Sequence, residues 1–315
     1  MRHFAAAIMI AALAAPAAHS AELASYSPAS LVFRAASGDD VDHWIVMFPP
    51  GGKDFALSIP LIPRRVAYGS SGLTVYATAL RKIGPKGFAN QPGIFKIELD
   101  PLHVTPIQGL DAFYSIDRFA VSRAEDRIVF AGAKGTYSSR ICGVYEIILA
   151  TGTARAILES SDCRAGSPWQ VLSLSPDSMQ ALVTANRGLA LLDLSKGSIT
   201  KLDGRLWGGA FSPDGKWIAA VRFGVPNTAA RAILIDRTNL AARRDVGAVE
   251  DPEVAWSPDS KFLLHAVYRP ACPIQNPLAL ETLDVETGKR LVIEDSICNS
   301  GSSRDFGWIR ADIKR

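Results

Sequence analysis

Gly209-Ala-Phe-Ser-Pro-Asp-Gly-Lys216 is a short apolar strand running into a turn, and its reading decides the fold. The pattern recurs at Val171-Leu-Ser-Leu-Ser-Pro-Asp-Ser178 and at Val254-Ala-Trp-Ser-Pro-Asp-Ser-Lys261. After each turn comes a second apolar strand: Ala181–Thr184, Trp217–Val221 and Phe262–Val267. Proline presets φ near −65° at the first central position of a type I turn, aspartate suits the next, and glycine tolerates the positive φ that follows. The segments therefore read as tight hairpins. Their strands are continuous apolar runs, which suits strands buried on both faces between neighbouring sheets.

A third strand and another turn follow in each unit, best seen in Leu280-Glu-Thr-Leu-Asp-Val-Glu-Thr-Gly-Lys289, with Arg290–Ile293 as a fourth strand. Ala190–Gly197 and Ala232–Thr238 repeat the idea. Weaker copies lie upstream, at Phe119-Ala-Val-Ser-Arg-Ala-Glu-Asp126 and Val66-Ala-Tyr-Gly-Ser-Ser-Gly72. The turn serines Ser122, Ser175 and Ser212 are 53 and 37 residues apart, the period of a four-stranded propeller blade. Trp44–Phe48 and Phe55–Ile59 read as the third and fourth strands of an N-terminal unit that lacks an inner strand. Asp305-Phe-Gly-Trp-Ile-Arg310 can supply it, pairing edges otherwise left open. The expectation is an all-β, six-bladed β-propeller of four-stranded antiparallel blades, the first blade closed by the C-terminal strand.

Ser-Pro-Asp-Gly-Lys with an apolar strand after it, and Thr-Gly-Lys-like turns downstream, resemble the TolB-like, WD-repeat-like propeller family. The resemblance covers nearly the whole chain after its first residues and implies the propeller fold. It differs from full-length TolB, which carries an α/β domain ahead of its propeller.

The start of the chain reads as a secretory signal peptide over residues 1–21: a basic Met1-Arg2-His3, an apolar run from Phe4 to Ala15, Pro16, then small residues to Ala21. The run is shorter than the roughly 20 residues that span a bilayer. No later segment reaches that length, so no integral membrane segment is expected in residues 22–315, the propeller domain. Localisation is expected in the periplasm. Apolar residues are 48% of the 315, enough for a large core. A net charge of +3 is too low to argue for nucleic acid.

Four cysteines in an exported chain suggest disulfides. Cys163 lies 41 residues after Ser122, and Cys298 lies 41 residues after Ser257, so each follows the fourth strand of its blade. Cys142 and Cys272 fall near the start of the third strand. Those positions share one edge of an antiparallel pair, which predicts Cys142–Cys163 and Cys272–Cys298.

No catalytic constellation stands out. Gly69-Ser-Ser-Gly72 is one residue short of a nucleophile elbow, and Pro50-Gly-Gly-Lys53 lacks the spacing of a phosphate loop. The repeated Asp177, Asp214 and Asp259 read as turn residues. Asp39, Asp40 and Asp42, with Glu250, Asp251 and Glu253, form an acidic group; a solvated loop is the simpler reading and a calcium site the alternative. No other cofactor is expected.

The Ser-Pro-Asp and Thr-Gly-Lys turns share one face. The opposite face carries the longer loops, including residues 80–93, 133–141, 223–230 and 268–277, where recognition is expected. Its basic residues include Arg81, Lys82, Lys86, Arg140, Arg187 and Arg269, and Trp169 and Trp207 stand near the channel mouth. The functional expectation is a non-catalytic binding scaffold for an envelope protein or a small anionic ligand. A channel-site, metal-dependent, lactonase-like hydrolase and an accessory subunit of an exported enzyme are the alternatives.

Overall fold

Each Ser-Pro-Asp turn is braced from within. The Ser212 hydroxyl donates to Asp214 Oδ1 at 2.6 Å and accepts the Trp217 N–H at 2.9 Å. Asp214 in turn accepts the Lys216 N–H at 3.1 Å. Ser175 with Asp177 and Ser257 with Asp259 repeat the arrangement at 2.6 and 2.5 Å. All three serines are fully buried. The aspartates are thus turn residues. The residue after each aspartate is left-handed: φ is 56° at Ser178, 74° at Gly215 and 64° at Ser260.

These turns belong to an all-β propeller with four-stranded antiparallel blades. The computed structural model describes residues 26–35, 41–47, 55–59, 63–83, 87–136, 139–161, 163, 168–185, 188–223, 230–250, 253–268, 278–297 and 306–310. The first strands are β1 (Tyr26–Ala35), β2 (Val41–Met47) and β3 (Phe55–Ile59). Blade A holds β4 (Pro63–Tyr68), β5 (Thr74–Ile83), β6 (Gly87–Leu99) and β7 (Leu102–Pro106). Blade B holds β8 (Phe113–Val121), β9 (Arg127–Gly135), β10 (Arg140–Ile148) and β11 (Thr153–Ser160). Blade C is β12 (Trp169–Leu174), β13 (Gln180–Ala185), β14 (Gly188–Asp193) and β15 (Ile199–Asp203). Blade D is β16 (Leu206–Phe211), β17 (Trp217–Arg222), β18 (Ala230–Asp236) and β19 (Arg243–Val249). Blade E is β20 (Val254–Trp256), β21 (Phe262–Tyr268), β22 (Leu278–Asp284) and β23 (Arg290–Ile297).

Among the described residues, blades of four consecutive strands therefore number five rather than six. The remaining four-stranded sheet is composite: β24 (Phe306–Arg310) lies beside β1, in the order β24-β1-β2-β3. Tyr26 opposes Arg310 and Ser30 opposes Phe306.

The core lies between blades. Ile128 to Ala131 of β9 and Ile218 to Val221 of β17 are completely buried, as continuous apolar runs require. Val129 and Val144 of blade B pack on Val171, Val183 and Leu192 of blade C. Phe211 and Ile218 of blade D meet Leu182 and Leu191 of blade C, and Trp256 of blade E meets Leu234 of blade D. Trp308 of β24 joins Phe262 and Leu264 of blade E. Each such side chain contributes about 1.5–3 kcal/mol. On its other side β24 touches blade A: a Cβ on Gly307 would sit 2.2 Å from the Tyr68 ring.

Cys142 and Cys163 form the expected disulfide, with Cα atoms 5.6 Å apart. Cys272 and Cys298 lie outside the described residues. Much of the stretch 80–93, expected as a loop, is strand: Lys82 pairs with Phe88 and Ile83 with Gly87 as β5 and β6 run on. The strand-forming Ile83 and Phe88 explain the extension.

Candidate functional site

The first strand of every blade faces a central channel, and the turn that ends it sets a common register. Gly69, Ser122, Ser175, Ser212 and Ser257 each donate their N–H to the carbonyl five residues on, at 2.8–3.0 Å. Four residues before this position stand Arg65, Arg118, Val171, Gly208 and Glu253. Two before it stand Ala67, Ala120, Ser173, Ala210 and Ala255. One after it stand Ser70, Arg123, Pro176, Pro213 and Pro258. All of these line one cavity of about 430 Å³, together with Gly307 and Trp308 of β24.

The channel thus has three tiers. The waist carries one short side chain from each of the five blades, which keeps it open. The tier towards the long-loop face is charged. Glu253, immediately before β20, pairs with Arg118 of β8 and lies 3.7 Å from Arg65 of β4. Blades C and D separate Arg118 from Glu253 along the chain, so this pair spans the bore. Arg118 and Glu253 side chains are 19% and 17% exposed, and Arg65 is 40% exposed. Arg118 is lifted from strand pairing by an irregularity between Ile116 and Phe119. On the same irregularity, desolvation pushes the Asp117 carboxyl above its usual range.

The third tier closes the turn-face mouth. Three blades place proline there. Blade B places Arg123, whose guanidinium donates to the Pro213 carbonyl of blade D. The Ser70 hydroxyl of blade A donates to the Arg123 carbonyl at 2.5 Å. Among the described residues, three arginines against one glutamate leave the cavity wall with two positive charges in excess.

Among the described residues expected to bind, Trp169, Trp207 and Arg140 stand outside the cavity wall. Trp169 is half-buried and packs against the Val171–Val183 cluster. Trp207 is exposed and meets Phe223 edge to face, centroids 6.4 Å apart. Arg140 opens β10, half-buried, two residues from the disulfide. Arg81 and Lys82 lie on β5, their side chains outside the described residues, as is the side chain of Asp42 on β2. Lys86, Arg187, Arg269, Asp39 and Asp40 also fall outside them. Glu253, taken with those acids as a weak calcium ligand, instead faces two guanidinium groups, whose charge opposes a cation. Among the described residues no group of three or more histidines, cysteines or carboxylates could hold a metal ion.

Arg65, Arg118 and Arg123 were not among the expected site residues. Aligning the repeats on the turn would have found them, since two share one offset and the third replaces a motif proline.

The molecule is a propeller with a basic, doubly barred channel, and known proteins match that architecture in shape alone. No family model matches the chain, and no curated protein matches it in sequence. TolB from Acinetobacter baumannii superposes with a TM-score of 0.67 at 16% identity, over 90% of this chain and 66% of that one. The chain thus spans just under two thirds of that TolB. The Nidogen/Laminin complex contains a chain matching at TM-score 0.61 and 12% identity, over 90% of this chain and 98% of that one. An oligogalacturonate lyase from Vibrio parahaemolyticus matches at TM-score 0.57 and 11% identity, over 88% and 76%.

Proposed function

We propose that this chain is an exported binding scaffold whose channel takes an anionic group, presented by a small ligand or by an envelope protein, from the long-loop face. The carrying observation is the convergence of Arg65, Arg118 and Arg123 on one cavity that, among the described residues, holds a single glutamate. Charge-assisted pairing to a planar guanidinium favours carboxylates and phosphates. Approach from the long-loop face is supported by the position of Arg65 and Arg118 at that end of the inner strands. The exposed Trp207–Phe223 pair at the start of β16 and the end of β17 supports it too, as aromatic anchors suit recognition. Arg123 bars the other mouth.

Export is supported by the signal-like residues 1–21 and by the Cys142–Cys163 disulfide, since such bonds persist in oxidising compartments. The composite sheet closes the ring through the C-terminal strand. Contacts of β24 with both blade E and blade A support this. A protein-binding use of the fold has a parallel in the Nidogen/Laminin complex.

The test is calorimetric titration of the purified protein with citrate and with a blocked triglutamate peptide. Binding that weakens with added salt and is lost in Arg118→Gln supports the reading. Absence of binding in wild type and in variants that free the arginines removes it. Cross-linking in envelope extracts tests the face: a partner protecting the Ser-Pro-Asp turns would reverse the choice. A second reading, a channel enzyme, draws on the shape shared with the oligogalacturonate lyase. Turnover of an oligogalacturonate, ester or lactone by pure protein would establish it.

A further inference from the structure

Among the described residues Glu253 is the one acid on the cavity wall, and it sits where an anion from outside would sit. Its carboxylate accepts from Arg118 of blade B and lies 3.7 Å from Arg65 of blade A, while its own backbone belongs to blade E. It stands immediately before β20, at the end of a blade connection rather than within the ladder. At the same offset in blades C and D the chain has Val171 and Gly208, so propeller packing does not require a charge there. Both guanidinium groups approach the same oxygen, Glu253 Oε1, and a carboxylate held by charge-assisted pairing of this kind is bound more strongly than by a neutral hydrogen bond. Beyond this pair the bore continues into a waist of Ala67, Ala120, Ser173, Ala210 and Ala255, which has room for the rest of a small or slender ligand.

We propose that Arg65 and Arg118 form a carboxylate seat which Glu253 fills in the unliganded chain, and that a ligand carboxylate binds by displacing Glu253. The proposal rests on the channel being the binding site and adds the chemistry of the ligand and the exchange that admits it. The displaced Glu253 swings towards the long-loop face, where water solvates it. A group already seated on the arginines lowers apparent affinity by the fraction of time the seat is filled. The internal carboxylate therefore excludes weak monoanions and admits ligands that present a second contact deeper in the bore.

The experiment uses the full mature chain. Citrate and the blocked triglutamate peptide are titrated against wild type, Glu253→Gln, Arg118→Gln and the Glu253→Gln/Arg118→Gln pair. The expected result is binding to Glu253→Gln tighter than to wild type by on the order of tenfold, and no binding to either Arg118→Gln protein. Preference for citrate identifies a free small carboxylate as the ligand class; preference for the peptide identifies an acidic side chain of a partner.

Sodium acetate gives a second readout that depends less on full stability. Glu253→Ala should gain several degrees in melting temperature from acetate, relative to sodium chloride at equal ionic strength, and wild type should not. If Arg118→Gln loses binding while Glu253→Gln binds no better than wild type, the displacement is wrong and the channel remains a site. If no protein in the series binds and acetate rescues nothing, both fail.

Discussion

The turns of blades C, D and E hold themselves, whereas the turn of blade A is held by its neighbour. In blade E the Ser257 hydroxyl accepts the Phe262 N–H at 2.9 Å and donates to Asp259. Blade A has Gly69 at the serine position and no aspartate in the turn. Glu125 of blade B reaches into it instead, accepting the Ser71 N–H at 3.0 Å and the Tyr76 hydroxyl at 3.1 Å. A Cβ at Gly69 would lie 2.6 Å from Glu125 Oε1, so the missing serine and the added glutamate are two sides of one exchange. In blade A the departure from the motif has not lost the interaction; it has moved it between blades.

The comparison can be broken or sharpened in four ways. Blade B departs from the motif and also carries the Cys142–Cys163 bond, which links residues 21 apart. Replacing both cysteines by serine should cost about 3 kcal/mol in urea unfolding; a cost near zero would mean the blade stands without its staple. Next, Ser257→Ala removes the buried hydroxyl that accepts the Phe262 N–H and donates to Asp259, and should cost about 2 kcal/mol. An effect below a few tenths would undo the claim that these turns are self-braced.

Third, Gly69→Ser should destabilise by about 1 kcal/mol, and a double-mutant cycle with Glu125→Ala should return coupling of similar size. Burial first, and the Glu125 carboxylate second, hold the Tyr76 hydroxyl well above the ordinary phenol range. Glu125→Gln should therefore lower the pH at which Tyr76 phenolate absorbance appears, whereas an unchanged titration would free Tyr76 from that pairing. Smallest is Ser178→Gly. Ser178 holds φ at 56° without glycine's freedom, and the change should raise stability by about 0.5 kcal/mol. A loss would show that the serine contributes something beyond filling the turn.

The sequence disclosed the blades where the turn is local. Ser, Pro and Asp act within a few residues of one another, so Ser175, Ser212 and Ser257 announce themselves. The Cys142–Cys163 pairing was legible for a related reason, because the repeat fixes which strand ends meet. The channel was not. Arg118 and Glu253 are 135 residues apart and meet only when blades B and E face each other across the bore. Both belong to positions the motif leaves unspecified. Loop lysines and arginines show their charge in the sequence, whereas convergence is a property of the fold alone. Glu253 stands beside Glu250 and Asp251 in the sequence, but beside Arg65 and Arg118 in the fold.

The small waist residues have a further consequence. Ala67, Ala120, Ser173, Ala210 and Ala255 come from five separate strands, so the calibre of the passage is set by five independent choices. Enlarging one of them would narrow the bore from one side while leaving the charged tier and the hairpins untouched. Such a series would act as a graded sieve, reporting the diameter of whatever threads the ring.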